Sequence, residues 1–239
     1  MTGKLAQQTL WSGVDETLGN MAIGHVRDNL MAFLKNERGI HAESLMVATG
    51  ALAGHAALHA AFQMAASEPT KASLMSIETS DGGTYYAGDT LNAFLIPENP
   101  EIISLWGLIA GQAVAGGVPQ AELPDYVDIF RRAAATLGSP AFGEVEIGED
   151  HTPSGTPRQY LDAFWPAIRH LLGWSNPTLD NGRTLPTRYW PYVLGMIARQ
   201  YVGMTKDVLD PRLSLRLIME AAIPMSKVDP KTVPQEFKA

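Results

Sequence analysis

The stretch from Leu45 to Ala66 constrains this chain most strongly, because it runs for twenty-two residues without a formal charge. Half of its residues are alanine or glycine. Several of the others are leucine or methionine, which, like alanine, favour a helix. No proline interrupts it, so the sequence predicts one continuous helix of about six turns. We expect the rest of the chain to be organised around this helix.

Small residues form a line along one face of the predicted helix. This line consists of Gly50, Gly54, Ala57 and Ala61. A similar line occurs in the stretch 102–118, and we predict that the two helices pack backbone to backbone. Membrane insertion is an alternative, because small residues at this spacing also occur in membrane helices. It is disfavoured by the polar side chains of His55 and His59 and by the short length of the second stretch.

Polar side chains of the same helix lie on the face opposite the glycines. His55 and His59 are one helical turn apart, so their imidazoles point the same way, and Gln63 follows one turn later. Neutral imidazoles at this spacing can chelate a divalent metal. A complete site would need a further ligand, such as His25, His151 or a carboxylate. The alternative is that both histidines are hydrogen-bonded in or beside the core.

The chain as a whole predicts a mainly α-helical fold, with several helices bundled around the buried alanine- and glycine-rich helix. One segment, 73–88, instead predicts an antiparallel β-hairpin, because two β-prone runs flank Asp81-Gly82-Gly83. The alternating residues at 142–147 would suit a third strand. We expect one helical domain over residues 1–223 and a loosely attached tail over residues 224–239.

The composition excludes several classes of protein. None of the 239 residues is cysteine, which removes disulfides, thiolate nucleophiles and cysteine-based metal sites. The net charge of -7 argues against a nucleic-acid-binding protein. The N-terminus has no apolar run long enough for a secretory signal, so a cytoplasmic location is expected. Sequence motifs of common hydrolases, nucleotide-binding proteins and zinc proteases are absent, which does not exclude an enzyme.

Charge and aromatic residues set the last third of the chain apart. The balance of charge is -11 for residues 1–157 and +4 for residues 158–239. Either the two parts attract each other, or the C-terminal part favours an anionic ligand. This part also contains two similar hexapeptides, AFWPAI at 163–168 and RYWPYV at 188–193. The proline in each predicts a kinked or newly begun helix.

These aromatic residues are candidates for a ligand site. Trp165, Tyr189 and Trp190 could stack against a planar ligand, while Arg188 could hold its anionic group. The alternative is that the rings belong to the core. If Trp165 and Trp190 are both buried in ordinary packing, this site loses much of its support.

Two hypotheses for function follow from these patterns. The first is a soluble, non-enzymatic module that binds a small molecule or a protein partner, including a second copy of itself, through the aromatic C-terminal third. The second is a metal-dependent enzyme in which His55 and His59 hold a divalent cation. The position of the two histidines discriminates between them, because a cleft favours chemistry and a packed helix favours a structural role.

Overall fold

The computed structural model describes residues 14–174 and 182–236, and within them it forms a helical bundle with one small sheet. Helices make up 62% of the structure. Their bounds are α1 Val14–Leu34, α2 Ala42–Ser67, α3 Asp89–Leu95, α4 Leu105–Ala115, α5 Tyr126–Ala135, α6 Pro157–Leu172, α7 Trp190–Thr205 and α8 Pro211–Met225. The strands β1 Met75–Glu78 and β2 Thr84–Ala87 lie between α2 and α3. The prediction of a mainly helical fold with a β-hairpin is confirmed.

Helix α2 is the centre of the bundle, as the sequence predicts. Every residue from Ser44 to Leu58 is buried, on all faces of the helix, because α3, α6, α7 and α8 pack around it. The helix is long and apolar enough to cross a membrane, but 89% of its most apolar window is buried inside the protein. Its apolar surface is therefore covered by the chain itself.

The glycines of α2 pack against α8, so the predicted pairing with the stretch 102–118 is wrong. A Cβ atom added to Gly50 would overlap the carbonyl oxygen of Ile218, and one added to Gly54 would overlap that of Ala222. The two backbones therefore touch at successive turns, which only residues without a side chain permit.

Helix α4, which lies in the stretch 102–118, packs mainly on α7 instead. A Cβ atom on its exposed Gly111 would meet no other atom within 4 Å. A line of small residues permits a close approach without specifying the partner. Helix α8 includes the small buried residues Ala221 and Ala222, and it is the helix that contacts the glycines of α2.

The β-hairpin has the predicted turn but a different neighbour. Gly82 has a φ angle of 81°, a left-handed conformation that glycine adopts readily. The backbone N–H of Tyr86 donates to the carbonyl of Lys227 over 2.9 Å, and Tyr85 forms an isolated bridge with Val228. The residues that follow α8 thus flank the hairpin. Residues 142–147 form no strand, so the third-strand alternative is wrong.

The start of the expected C-terminal tail and the polar loop 148–156 are both packed against the helices. Residues 224–228 are buried, although the sequence predicts that the tail begins at 224; residues 237–239 lie outside the described part. In the polar loop 148–156, the ring nitrogen Nδ1 of His151 lies 2.9 Å from a carboxylate oxygen of Glu43. These contacts fasten both segments to the helices.

A ring of ion pairs joins the acidic and basic parts of the chain. Arg132 contacts both Glu146 and Glu220, and Arg216 lies 3.3 Å from Glu220 and 3.8 Å from Glu146. The carboxylate of Glu220 is fully buried, whereas the side chain of Glu146 is 73% exposed. Within this ring, the Arg216–Glu146 pair joins a basic residue of 158–239 to an acidic residue of 1–157, whereas the Arg132–Glu220 pair has the opposite sense. The ring therefore does not test the attraction expected from the charge distribution.

The contact between α2 and α8 predicts the effect of adding a single methyl group. Gly54→Ala should lower the free energy of unfolding by about 1–3 kcal/mol, because the new Cβ atom has no room beside Ala222. Gly111→Ala is the matched control and should raise it by up to about 1 kcal/mol, since it improves helix propensity at an open position. Urea denaturation measures both values. A neutral Gly54→Ala would contradict the backbone contact.

The ring of ion pairs predicts unequal effects for its two carboxylates. Glu220→Gln should destabilise the protein by up to about 3–5 kcal/mol, because it leaves two guanidinium groups without their buried counter-charge. Glu146→Gln should cost less than about 1 kcal/mol, since an exposed ion pair contributes little. Equal losses in urea denaturation would show that burial does not determine the strength of these pairs.

Candidate functional site

The structure divides the predicted site residues between two places. The side chains of His55, His59, Trp165 and Trp190 form one cluster inside the bundle, which we call the histidine–tryptophan cluster. Arg188 and Tyr189 line a surface cavity at the end of α2. The predicted aromatic site is therefore not one continuous surface.

The histidine–tryptophan cluster is a packed interior. The ring of His55 meets the Trp165 ring edge to face at 4.7 Å between centroids, and the His59 ring stacks on Trp165 at 5.1 Å. The two tryptophan rings are 6.3 Å apart. Trp165 is completely buried and Trp190 is 8% exposed. Neither tryptophan presents a stacking surface to a ligand, so their role as direct ligand contacts is not supported.

Several ring nitrogens in the cluster have no hydrogen-bond partner among the described residues. They are both nitrogens of His55, Nε2 of His59 and Nε1 of Trp165. Burial lowers the pKa of His55 to about 3, with a further contribution from the neighbouring His59, and burial lowers the pKa of His59 to about 4. An interaction of His55 with the backbone of Met225 opposes this lowering but does not cancel it, so both imidazoles are neutral near pH 7.

The metal hypothesis needs a third ligand, and the described residues do not bring one to the histidines. Within 14–174 and 182–236, no group of three histidine, aspartate or glutamate side chains could hold a metal ion. His25 packs against Trp174 at 5.5 Å between ring centroids, and His151 contacts Glu43. We therefore carry no divalent metal cofactor forward from His55 and His59.

The surface cavity, called the Arg188 cavity below, has a volume of about 350 Å³. It lies between the last turn of α2, helix α3, the loop that precedes α4, and the start of α7. Besides Arg188 and Tyr189, the side chains that matter most for its character are Gln63, Phe94, Glu101, Ile102, Ile103 and Tyr192. The cavity is thus partly apolar and carries charges of both signs.

Arg188 is held in place at the mouth of this cavity. Its backbone N–H donates to the side-chain oxygen of Gln63 over 2.7 Å, which ties the start of α7 to α2. Its guanidinium donates to the hydroxyl of Tyr189 over 3.1 Å, and its central carbon lies 4.8 Å from the centre of that ring. No acidic residue in the described ranges forms an ion pair with it, so its charge is available to an anion.

The opposite wall of the Arg188 cavity is acidic. Glu68 forms an ion pair with Lys71 over 2.9 Å, whereas the carboxylate of Glu101 forms no ion pair within the described part of the chain. A second cavity of about 380 Å³ shares the wall around these two glutamates and extends to Lys71. The two cavities therefore form adjacent parts of one groove.

Apolar and aromatic side chains provide the remaining surface. Phe94 is 5% exposed at the base, while Ile103 is 39% exposed at the rim. Burial raises the pKa of Tyr192, so its phenol is neutral at physiological pH. The cavity could therefore cover a planar apolar group while its charged residues contact a polar one.

The sequence singled out Arg188 and Tyr189, which both line the cavity, but gave no indication of Phe94 and Glu101. Arg188 and Tyr189 are adjacent in the aromatic hexapeptide RYWPYV at 188–193, which makes them noticeable in the sequence. Phe94 belongs to a short helix and Glu101 to a loop, and neither position has a local pattern that indicates a site. Their contribution depends on the packing of α3 and the following loop beside α2 and α7.

Comparison of this chain with protein-family models, with curated proteins and with solved structures finds no match.

The buried histidines predict how stability changes with pH. Their pKa values in the folded state, about 3 and about 4, lie below the unfolded value of 6.5, so the unfolded chain binds protons first as pH falls. Above about pH 6.5, the contribution of the two histidines to the free energy of unfolding should not change with pH. Below that pH, each histidine should lower the free energy of unfolding by about 1.4 kcal/mol per pH unit, down to its folded pKa.

Urea denaturation between about pH 7 and pH 5 tests this prediction against variants. His55→Phe should show a smaller loss of stability over the interval, because one of the two titrating groups is gone. His170→Gln removes an exposed histidine and should leave the pH dependence unchanged. The same loss in His55→Phe as in the unsubstituted protein would contradict neutral burial of His55.

Proposed function

We propose that this protein is a soluble, non-enzymatic binding module that holds a small organic anion with a planar apolar body in the Arg188 cavity. The observation that carries the proposal is the guanidinium of Arg188. It stacks on Tyr189, has no acidic partner among the described residues, and lies in the wall of a partly apolar cavity. The proposal keeps the arginine and tyrosine of the predicted site and replaces the two tryptophans.

The size and the chemistry of the cavity agree with such a ligand. Its volume of about 350 Å³ is near the lower end of the range of ligand pockets, about 300–1,000 Å³. A planar guanidinium donates two parallel hydrogen bonds to a carboxylate, which gives both orientation and affinity. The rings of Tyr189 and Tyr192 and the side chain of Ile103 can cover an apolar group beside it.

The interior supports the position of Arg188. Trp190, two residues further along, is buried, and its indole N–H donates to the carbonyl of Leu185 over 3.3 Å. The backbone of Arg188 is also bonded to Gln63 on the central helix. A binding residue on such a rigid base loses little conformational freedom when the ligand binds. In this proposal the buried tryptophans stabilise the segment that carries Arg188 and do not contact the ligand.

The wall of the cavity does not suggest an activated nucleophile. The hydroxyl of Ser67 donates to the carbonyl of Met64 over 3.2 Å, and no described histidine lines the cavity. This arrangement favours binding over acyl transfer, which needs a serine paired with a base. Self-association, a protein partner and a cytoplasmic location stay predictions from the sequence.

Binding of small aromatic carboxylates tests the proposal. Isothermal titration calorimetry with benzoate, 3-phenylpropionate, indole-3-acetate and L-phenylalanine should find saturable binding of at least one compound at one site per chain. Arg188→Gln should weaken that binding by about tenfold or more, because a charge-assisted hydrogen bond is lost. Arg131→Gln, which removes an exposed arginine on α5, is the matched control and should bind like the unsubstituted protein.

Two results would overturn the proposal. The first is that no member of this series binds to the folded protein. The second is that Arg188→Gln and Arg131→Gln weaken binding equally, since the effect would then reflect net charge and not a contact. Circular dichroism of each variant establishes that the helical fold is retained before the titrations are compared.

A further inference from the structure

The Arg188 cavity contains an unpaired charge of each sign. Arg188 contacts only Tyr189 through its guanidinium, and Glu101 has no ion-pair partner within the described residues. Both residues line the same cavity, yet they do not form an ion pair with each other. A ligand with a single negative charge satisfies the arginine and leaves the glutamate without a partner.

The end of helix α2 adds to the negative side of the cavity. Gln63, Met64, Ser67 and the C-cap residue Glu68 line the same cavity as Glu101. The carbonyl groups at the C-terminus of a helix carry a partial negative charge, which favours a cation nearby. Lys71 is bound to Glu68 over 2.9 Å and also interacts electrostatically with Glu101, but its single positive charge cannot balance both glutamates.

From this arrangement we infer that the ligand is a zwitterion, an α-amino acid with an apolar or aromatic side chain. Its carboxylate binds the guanidinium of Arg188, and its ammonium lies on the side of Glu101 and the end of α2. Its side chain packs among Ile102, Ile103 and Tyr192. The inference rests on the proposed function and adds the second charge of the ligand, which the sequence does not indicate.

The apolar walls explain why a free amino acid with a small polar side chain is a poorer ligand. Ile102 and Ile103 bury apolar surface only if the ligand brings apolar surface to them, and the hydrophobic contribution grows with that area. The adjacent cavity of about 380 Å³ gives a large side chain room to extend. Phenylalanine is therefore a suitable probe, and glycine is its control.

Three compounds that differ by one charged group at a time test the inference. L-Phenylalanine has both charges, 3-phenylpropionate lacks the ammonium, and 2-phenylethylamine lacks the carboxylate. Isothermal titration calorimetry should give the tightest binding for L-phenylalanine, by about tenfold over each of the other two. Glycine should bind more weakly than L-phenylalanine.

Variants assign each charge of the ligand to its residue. Glu101→Gln should reduce the affinity for L-phenylalanine to about that for 3-phenylpropionate, and it should not weaken the binding of 3-phenylpropionate. Arg188→Gln should have the converse effect. It should weaken the binding of L-phenylalanine and 3-phenylpropionate, which both carry a carboxylate, and change the affinity for 2-phenylethylamine little. Glu37→Gln removes an exposed acid of the α1–α2 connection, which is not part of the cavity wall, and should change none of these affinities.

The outcomes separate this inference from the function on which it rests. If 3-phenylpropionate binds as tightly as L-phenylalanine, and Glu101→Gln changes neither affinity, the inference of a zwitterionic ligand is wrong. The proposal of an anion-binding cavity is then unaffected. If none of the carboxylates binds, the proposed function itself is overturned. If L-phenylalanine binds but Arg188→Gln and Glu101→Gln leave its affinity unchanged, the ligand occupies another part of the protein and the inference fails.

Discussion

The contact between the backbones of α2 and α8 is the interaction on which the rest of the structure depends. Gly50 and Gly54 have no side chains to separate the helices, so the carbonyls of Ile218 and Ala222 fill that space. Each glycine in a helix interior costs about 1 kcal/mol relative to alanine, and close packing offsets this cost. The approach also places α8 at the centre of the bundle, although its charged residues are typical of a surface helix.

Two consequences follow from the position of α8. Its buried Glu220 needs counter-charges, and Arg132 together with Arg216 supplies them, so that α5 and the loop around Glu146 are held beside it. The residues after α8 continue into the core and meet the hairpin at Tyr86. A segment that looks like a tail in the sequence is therefore part of the packed structure.

On its other face, α2 carries the histidine–tryptophan cluster, where several buried ring nitrogens have no geometric hydrogen-bond partner in residues 14–174 and 182–236. Such groups cost free energy, and natural proteins keep few of them. Here they fill the interior beneath the start of α7, close to the position where Arg188 and Tyr189 enter the cavity wall. The start of α7 belongs to both places, since Trp190 packs in the cluster while Arg188 and Tyr189 line the cavity.

The sequence determined the helical class, the central helix, the hairpin with its Gly82 turn, and the common face of His55 and His59. These features follow from local periodicity and turn chemistry, which act over a few residues. Only the tertiary structure decided that α8 is the partner of α2, that the tryptophans are buried, and that Glu101 faces the same cavity as Arg188. Such contacts join residues far apart in the chain, and their choice depends on the competition among all surfaces that could pack together.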